Sequence, residues 1–411
     1  GVLGNGNTLR PDHAALGIAT WPELLAAVGY YTSAIGKMHF YPWDAPMGFA
    51  HRVICEDKRW IKIEDDYHRY LAARGHRKYH GNEHEGYFEN KGAIVSKLPW
   101  DCYWDYFVGE AAAQTIREYD GEQPFAMMVG FPGPHCPYDP TREFLDRVDE
   151  AAMPPAAPDV GDTPLLRKGN IAGLKGAWNG VDYSEFTTAH KAKIRAHYAA
   201  MVMQIDHEVG EILAALEERG MVDNTVVIFS SDHGDYLGDH NLMAKSSFYE
   251  GSCHVPLLVR APGTEAGRAS DALVSLTDVT AMLLAFAGQE VPDYMEARVP
   301  SGLGIEAGPP RETLFGMNSG AWMAYDGRWK LAKYSTGEQT LFDLEEDPLE
   351  QRNLLRTGGA GEQYQRLDAL LTQEIMRSVA ASHRDKAVVA GWDSDEFAKS
   401  GQSQHFPQRM A

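Results

Sequence analysis

Six residues of this 411-residue chain stand just beyond stretches that read as buried strands: Lys37, His39, His135, Asp232, His233 and Lys245. Their types suit one kind of chemistry. Asp232 and His233 offer a carboxylate and an imidazole, a hard-to-borderline ligand pair for a divalent cation. Lys37 and Lys245 can neutralise the oxygens of a transferring sulfuryl or phosphoryl group, the charge stabilisation such transfer needs. His39 and His135 can move protons near neutral pH. Taken singly, a Lys or His after a strand is more often a surface or capping residue, and Asp-His-Gly is commonly a turn. What raises the set above that is position, because each cluster falls at one predicted sheet edge.

The elements that would bring them together are legible from periodicity. Thr20-Trp21-Pro22-Glu23 is a capping box with Pro in the first turn, followed by Leu24, Leu25 and Val28 and stopped by Gly29. Residues 30–35 read as a short buried strand running into Gly36-Lys37-Met38-His39. A helix is expected over 107–119, then a strand over 124–131 that opens into Pro132-Gly133-Pro134-His135. In the longest helix Ile194, Tyr198, Met201, Ile205, Val209, Ile212 and Leu216 share one face, and Gly220 ends it. Residues 225–230 have the apolar, β-branched character of a central parallel strand, and 255–260 are expected to form another. A further helix is expected over 278–287 with Thr277 as its cap. This alternation predicts an α/β fold: a mainly parallel central sheet flanked by helices, with its site at the carboxyl ends of the strands.

Residues 43–106 lack clear periodicity and are dense in aromatics and His, so they are expected to form an irregular excursion that shapes the pocket. Residues 154–183 are likewise expected to be irregular. His76, His80 and His84 recur every fourth residue, but Gly75, Gly81 and Gly86 among them argue against a helical metal face. From about residue 309 the texture changes to short alternating segments at 313–317, 321–326, 329–334 and 340–344, punctuated by Gly320, Gly327 and Gly337. That pattern predicts an antiparallel meander. The organisation expected is a catalytic domain over 1–308 and a smaller C-terminal α+β subdomain over 309–411, the polar tail after Trp392 being a strap or a loose end.

A formal net charge of −20 excludes a nucleic-acid partner, since such binding draws on clustered Lys and Arg. An anionic substrate must be drawn by a local positive site. No apolar run approaches the roughly 20 residues needed to cross a bilayer, so a soluble protein with no membrane partner is expected. Cys55, Cys102, Cys136 and Cys253 form no CxxC pair and are expected to be isolated thiols. The first residues, Gly1-Val2-Leu3-Gly4-Asn5-Gly6-Asn7, carry no initiator Met and no leader pattern, and read as a cut end that leaves the compartment open.

Five blocks in order carry a resemblance to the sulfatase family of the alkaline phosphatase superfamily: Gly36-Lys37-Met38-His39; Phe131-Pro132-Gly133-Pro134-His135-Cys136-Pro137-Tyr138; Ser231-Asp232-His233-Gly234-Asp235 through His240; Lys245-Ser246-Ser247-Phe248-Tyr249-Glu250-Gly251 through Val255-Pro256-Leu257; and Leu341-Phe342-Asp343-Leu344-Glu345-Glu346-Asp347-Pro348 with Asn353-Leu354. The resemblance covers nearly the whole chain. It implies a sulfate-ester hydrolase whose nucleophile is a formylglycine made from Cys or Ser in a C/S-x-P-x-R motif, seated on a divalent metal, usually calcium, with manganese or magnesium as alternatives. On that analogy Asp232 and His233 are metal ligands, and Lys37 and Lys245 hold the sulfate oxygens. His39 assists breakdown of the sulfated aldehyde hydrate, and His135 contacts the sulfate or helps the leaving oxygen depart.

Two features depart from the family pattern. Many sulfatases carry Asn after the metal-binding Asp, whereas His233 stands here, as in choline-sulfatase-like and phosphonate monoester hydrolase-like relatives. No residue of the chain fits C/S-x-P-x-R: Cys136 is followed by Pro137-Tyr138, and Tyr138-Asp139-Pro140-Thr141-Arg142 has only the second half of the motif. The family's first strand, with its paired metal-binding aspartates, and the nucleophile are therefore expected to precede Gly1. Three readings follow: a sulfatase acting on a small-molecule sulfate ester, a phosphonate monoester or phosphodiester hydrolase on the same scaffold, or an inactive anion-binding homologue. A homo-oligomer is compatible with each of them, and the sequence does not select the leaving group.

Overall fold

The computed structural model describes residues 13, 17–58, 60–119, 121, 123–177, 180–318 and 320–385. Helix α1 (Trp21–Ala27) begins as its sequence predicts: Thr20 Oγ accepts from the Glu23 amide, and the Glu23 carboxylate accepts the Thr20 amide. Strand β1 (Tyr31–Gly36) follows and is buried from Thr32 onward. It is the centre of a three-stranded parallel sheet, with β2 (His51–Ile54) on one side and β3 (Phe125–Gly130) on the other. At the carboxyl ends β1 and β3 approach too closely for side chains. A Cβ on Gly36, whose φ is 101°, would collide with the Gly130 carbonyl, and one on Gly130 with the Lys37 carbonyl. This contact lets Lys37 leave the sheet directly above β3, its amide donating to Gly130 O at 2.7 Å.

The excursion expected over 43–106 is more regular than its composition suggests. It contains β2 and helix α2 (Asp66–Ala73), whose cap is the Asp65 carboxylate. Its aromatics serve the core more than a pocket. Tyr67, Tyr103 and Trp104 are fully buried with Ile35, Leu71 and Val108 under helix α3 (Trp104–Glu118). His76, His80 and His84 do not share a helix: His80 caps a single 3-10 turn at Gly81–Glu83, and His84 points its ring at the carbonyls of His80 and Gly81.

After β3 come the short helix α4 (Arg142–Leu145) and helix α5 (Pro164–Gly176), which overturns the expectation of an irregular stretch over 154–183. Helix α6 (Thr188–Glu218) is the long predicted helix, capped by Thr187 and packed along α3. Strand β4 (Val227–Ser230), the one-turn helix α7 (Glu250–Cys253) and strand β5 (Leu257–Arg260) follow. Here the expectation of two central parallel strands fails, because β4 and β5 pair antiparallel in a sheet of their own. A parallel pair requires a crossover that carries the chain back to the start of the sheet. Residues 231–256 never leave the carboxyl end of β4: Gly234 donates to Ser252 O at 2.8 Å and Ser230 Oγ to Pro256 O at 2.9 Å. Strand β5 therefore starts where β4 stops. Phe229 and Leu258 remain exposed, unlike residues of a strand covered on both faces.

Helix α8 (Thr277–Phe286) lies as expected, but Thr277 is not its cap. The carboxylate of Asp278 instead accepts the Ser275 and Arg298 amides at 2.8 Å each and pairs with Arg311. The meander is β6 (Leu314–Asn318), β7 (Ala321–Tyr325), β8 (Trp329–Tyr334) and β9 (Gln339–Asp343), antiparallel in sequence order. Helices α9 (Leu354–Thr357) and α10 (Gly361–Asp385) cover it, with Leu367 and Leu371 buried against Ala324, Leu331 and Leu341. The tail after Trp392 lies outside the described residues.

Candidate active site

The six predicted residues lie in the segments that follow the carboxyl ends of β1, β3 and β4. Beyond β1 the backbone turns at His39, whose φ is 53°. Lys37 Nζ lies 3.1 Å from Asp57 Oδ2, and the His39 ring is held by two carboxylates, Nδ1 at 3.0 Å from Glu56 Oε2 and Nε2 at 3.6 Å from Asp57 Oδ2. These hydrogen bonds, Asp57 foremost and then Glu56, raise the imidazole above its ordinary pKa despite burial and the nearby Lys37 charge. His39 is thus biased towards the imidazolium.

Beyond β3, His135 has the opposite character. Its Nδ1 is 2.7 Å from Cys136 O and its Nε2 3.1 Å from Lys245 Nζ. Those partners assign the neutral tautomer with the proton on Nδ1, leaving the Nε2 lone pair to accept from Lys245. Burial is the main force that lowers its pKa to about 3; Asp57 opposes, and the charges of Lys245 and Lys37 add to the lowering. His39 is thus favoured in its charged form, whereas His135 is desolvated into its neutral form.

Lys245 follows a tight turn: Ala244 and Ser246 have φ of 59° and 105°. The loop is fixed on both sides. Tyr236 OH meets the Ser247 amide at 2.7 Å, Asn318 of β6 donates to Ser246 O at 3.2 Å, and Phe248 packs against Met323 and Ala332 of the meander. Asp235, half-buried, accepts from Tyr138 OH at 2.8 Å and from the Ala244 and Leu237 amides at 3.0 and 3.1 Å, so one carboxylate ties the His135, Asp232 and Lys245 loops together.

Asp232 and His233 stand at the mouth. The Asp232 side chain is 73% exposed, with Oδ2 3.5 Å from His233 Nε2. His233 Nδ1 meets Gly234 O at 2.7 Å, and burial lowers its pKa against the opposing pull of Asp232. A neutral imidazole with its Nε2 lone pair beside a carboxylate is a fitting donor pair for a divalent ion. Donors about 2.1–2.4 Å from one ion lie about 3–3.5 Å apart. No group of three or more His, Cys, Asp or Glu suited to a metal occurs among the described residues.

The lysine fields link the loops: Lys37 and Lys245 each act on both His135 and His233. Sequence reasoning missed the buried residues that hold this set, Glu56, Asp57, Lys58, Asp105 and Asp139. Asp105 accepts the Gly133 amide at 2.9 Å at the root of the His135 loop, and burial raises its pKa to about 6. For Glu56, Asp57 and Lys58 the sequence signal is a run of four charged residues, Glu56-Asp57-Lys58-Arg59, one residue beyond Val53-Ile54; Asp105 and Asp139 carry no such signal. A cleft of about 730 Å³ between His84, Lys97, Arg142 and Lys193 is lined by none of the six. Its size does not make it the site, since the convergent polar groups lie elsewhere.

The sulfatase family profile matches residues 3–289. The chain is 31% identical over 365 residues to a choline-sulfatase of Rhizobium meliloti (strain 1021), covering 82% of this chain and 67% of that protein. It is 30% identical over 379 residues to an arylsulfatase of Clostridium perfringens (strain 13 / Type A), covering 84% and 76%. The fold is similar to the crystal structure of the phosphonate monoester hydrolase of Agrobacterium radiobacter, with a TM-score of 0.67 at 23% identity over 87% of this chain and 80% of that one. No helix among the described residues is long and apolar enough to cross a membrane. The chain belongs to the sulfatase family of hydrolases in the alkaline phosphatase superfamily.

Proposed function

We propose that the protein cleaves the sulfate ester of a small molecule, with Lys37 and Lys245 holding the sulfuryl oxygens, His135 at the leaving oxygen and His39 serving proton transfer. The observation that carries this reading is the junction of Lys245 Nζ with a neutral His135 at 3.1 Å, within the electrostatic reach of Lys37. Two cations from different loops can meet the negative charge that grows on the peripheral oxygens, and being preorganised they need not reorganise as it grows. His135, with Nδ1 committed to Cys136 O, presents Nε2 to whatever replaces or joins Lys245. His39, biased towards the imidazolium by Glu56 and Asp57, holds a proton that can be returned to a departing oxygen.

Asp232 and His233 would bind a divalent cation, calcium by family analogy, which supplies charge stabilisation and activation of a nucleophile. The nucleophile in this proposal is a formylglycine, and because no C/S-x-P-x-R occurs in these 411 residues it would come from outside them. The similarity to a choline-sulfatase and an arylsulfatase supports the sulfate ester as substrate. His233 after Asp232 favours a second reading, a phosphonate monoester or phosphodiester hydrolase on the same scaffold. Hydrolysis of an aryl sulfate and an aryl phosphonate by full-length protein separates the two; a large preference for the phosphonate refutes the first. In either case Lys245→Ala or Lys37→Ala is expected to cut kcat/KM by about 100–1,000-fold, and near-normal rates refute the roles assigned to them.

A further inference from the structure

Strand β2 delivers the chain into Cys55-Glu56-Asp57-Lys58, and the last three side chains are ionisable and almost wholly inaccessible, at 1%, 1% and 2%. Consecutive buried charges are unfavourable unless each is paired. Each of these is paired to a different part of the site. Glu56 Oε1 accepts the His39 amide at 3.2 Å and the Met38 amide at 3.4 Å, while its Oε2 meets the His39 ring. Asp57 Oδ2 lies against Lys37 Nζ and His39 Nε2. Lys58 Nζ donates to Asp139 Oδ1 at 2.5 Å and Tyr103 OH at 3.1 Å and reaches the carbonyls of His135 and Pro137 at 3.4 Å each.

The triplet is itself anchored in the sheet and not in the loops it grips. The Cys55 amide donates to Gly36 O at 3.2 Å, extending the β1–β2 ladder, and the Glu56 amide donates to Asp65 Oδ2 at 2.9 Å. Asp65 is buried and paired with the equally buried Lys78 at 2.7 Å. Three adjacent residues just beyond the end of β2 thus hold the backbone of the 37–39 turn, the head of its lysine and the carbonyls of His135 and Pro137. Side chains that orient reacting groups in this way are effective when they are locked by their own packing and hydrogen bonds.

We propose that Glu56, Asp57 and Lys58 form a preassembled positioning element that sets Lys37, His39 and His135 in register before substrate arrives. The inference rests on the reading of those three as site residues. Asp57 has a further effect, because its carboxylate shares Lys37 with any incoming anion. Removing that charge frees Lys37 to hold an anion more tightly in the ground state while leaving its amine and the His39 ring less well aimed. Binding and turnover then move in opposite directions, which loss of general stability would not produce.

The test measures turnover of an aryl sulfate, binding of inorganic sulfate and the NMR titration of the His39 ring, all on the same protein. Asp57→Asn is expected to lower kcat by about 10–100-fold, with the sulfate Kd lowered. Glu56→Gln is expected to give a similar loss in kcat and to move the His39 titration to lower pH. Lys58→Met strands Asp139, so the double variant Lys58→Met/Asp139→Asn removes both charges together, and Lys58→Arg should recover part of the loss. Variants that keep kcat within twofold overturn the proposal, as does a loss of kcat that only follows a fall in Tm while His39 titrates as before and sulfate binding does not tighten. If Lys37→Ala and His39→Ala also leave turnover unchanged, the functional reading fails instead.

Discussion

Glu208 offers a sharp test of the packing beneath the site. It sits on α6 against α3, where a Cβ on Gly109 would collide with its side chain, and it is 2% exposed. Burial, and then the charges of Glu211, Asp105 and Glu110, push its pKa from 4.5 up to about 8. Between those values the unfolded chain has lost the proton and the folded chain has kept it, so stability falls as pH rises through that window. The shift is about 3.5 units, and at about 1.36 kcal/mol per unit the limiting penalty above pH 8 is about 5 kcal/mol. Local relaxation and water entry will reduce it. Glu208→Gln keeps the shape and removes the ionisation. It is expected to leave stability nearly unchanged at pH 4.5 and to raise it by about 2–5 kcal/mol at pH 8.5. Urea unfolding of wild type and variant at the two pH values, with m compared to check that the same transition is followed, measures this difference. A gain equal at both pH values, or a loss at pH 8.5, refutes the argument that Glu208 is held as a buried neutral acid between α3 and α6.

Gly36→Ala should destabilise the parallel sheet by about 2–4 kcal/mol in urea unfolding, combining the left-handed φ with the collision at Gly130 O. Lys330 of β8, buried between Glu250 of α7 and Glu350, should cost about 3–5 kcal/mol when changed to Met alone, because two carboxylates are left without their cation. The triple change with Glu250→Gln and Glu350→Gln should recover most of that loss, and failure to recover would mean the pair does more than neutralise charge. Asp232→Asn in full-length protein should lower bound divalent metal, read by elemental analysis, without changing the far-UV circular dichroism; unchanged metal content refutes Asp232 as a ligand.

Local signals carried much of the fold. Thr20 and Glu23 form the predicted cap, the repeat from Ile194 to Leu216 is the α6 helix, and the glycine-punctuated segments after residue 309 are the meander. What stayed hidden depends on distant partners. Strand β2 has only four residues, His51, Arg52, Val53 and Ile54, and becomes a strand because β1 offers it an edge. Helices α2 and α10 were not among the expected elements although each carries a short apolar stripe within polar sequence, Tyr67/Tyr70/Leu71 and Tyr364/Leu367/Leu371/Ile375. The direction of β5 was invisible for a related reason: an apolar run states that a strand is buried or half-buried, and the loop before it decides which way the strand runs.

The site divides along the same line. Spacing after strands singled out Lys37, His39, His135, Asp232, His233 and Lys245 as candidates, because the end of a strand is a local property. It could not say that the two histidines differ in charge. That difference comes from residues whose own sequence context is ordinary: Glu56 and Asp57 supply the carboxylates that hold His39 towards its charged form, whereas His135 meets Lys245, a carbonyl and a desolvated pocket. Two imidazoles of the same intrinsic pKa are thereby driven apart, one above its usual value and one to about 3. An acid and a neutral hydrogen-bonding base at one site are what ester cleavage uses. The chain makes them by choosing which buried partners each ring meets, and burial is the property that a single sequence displays least.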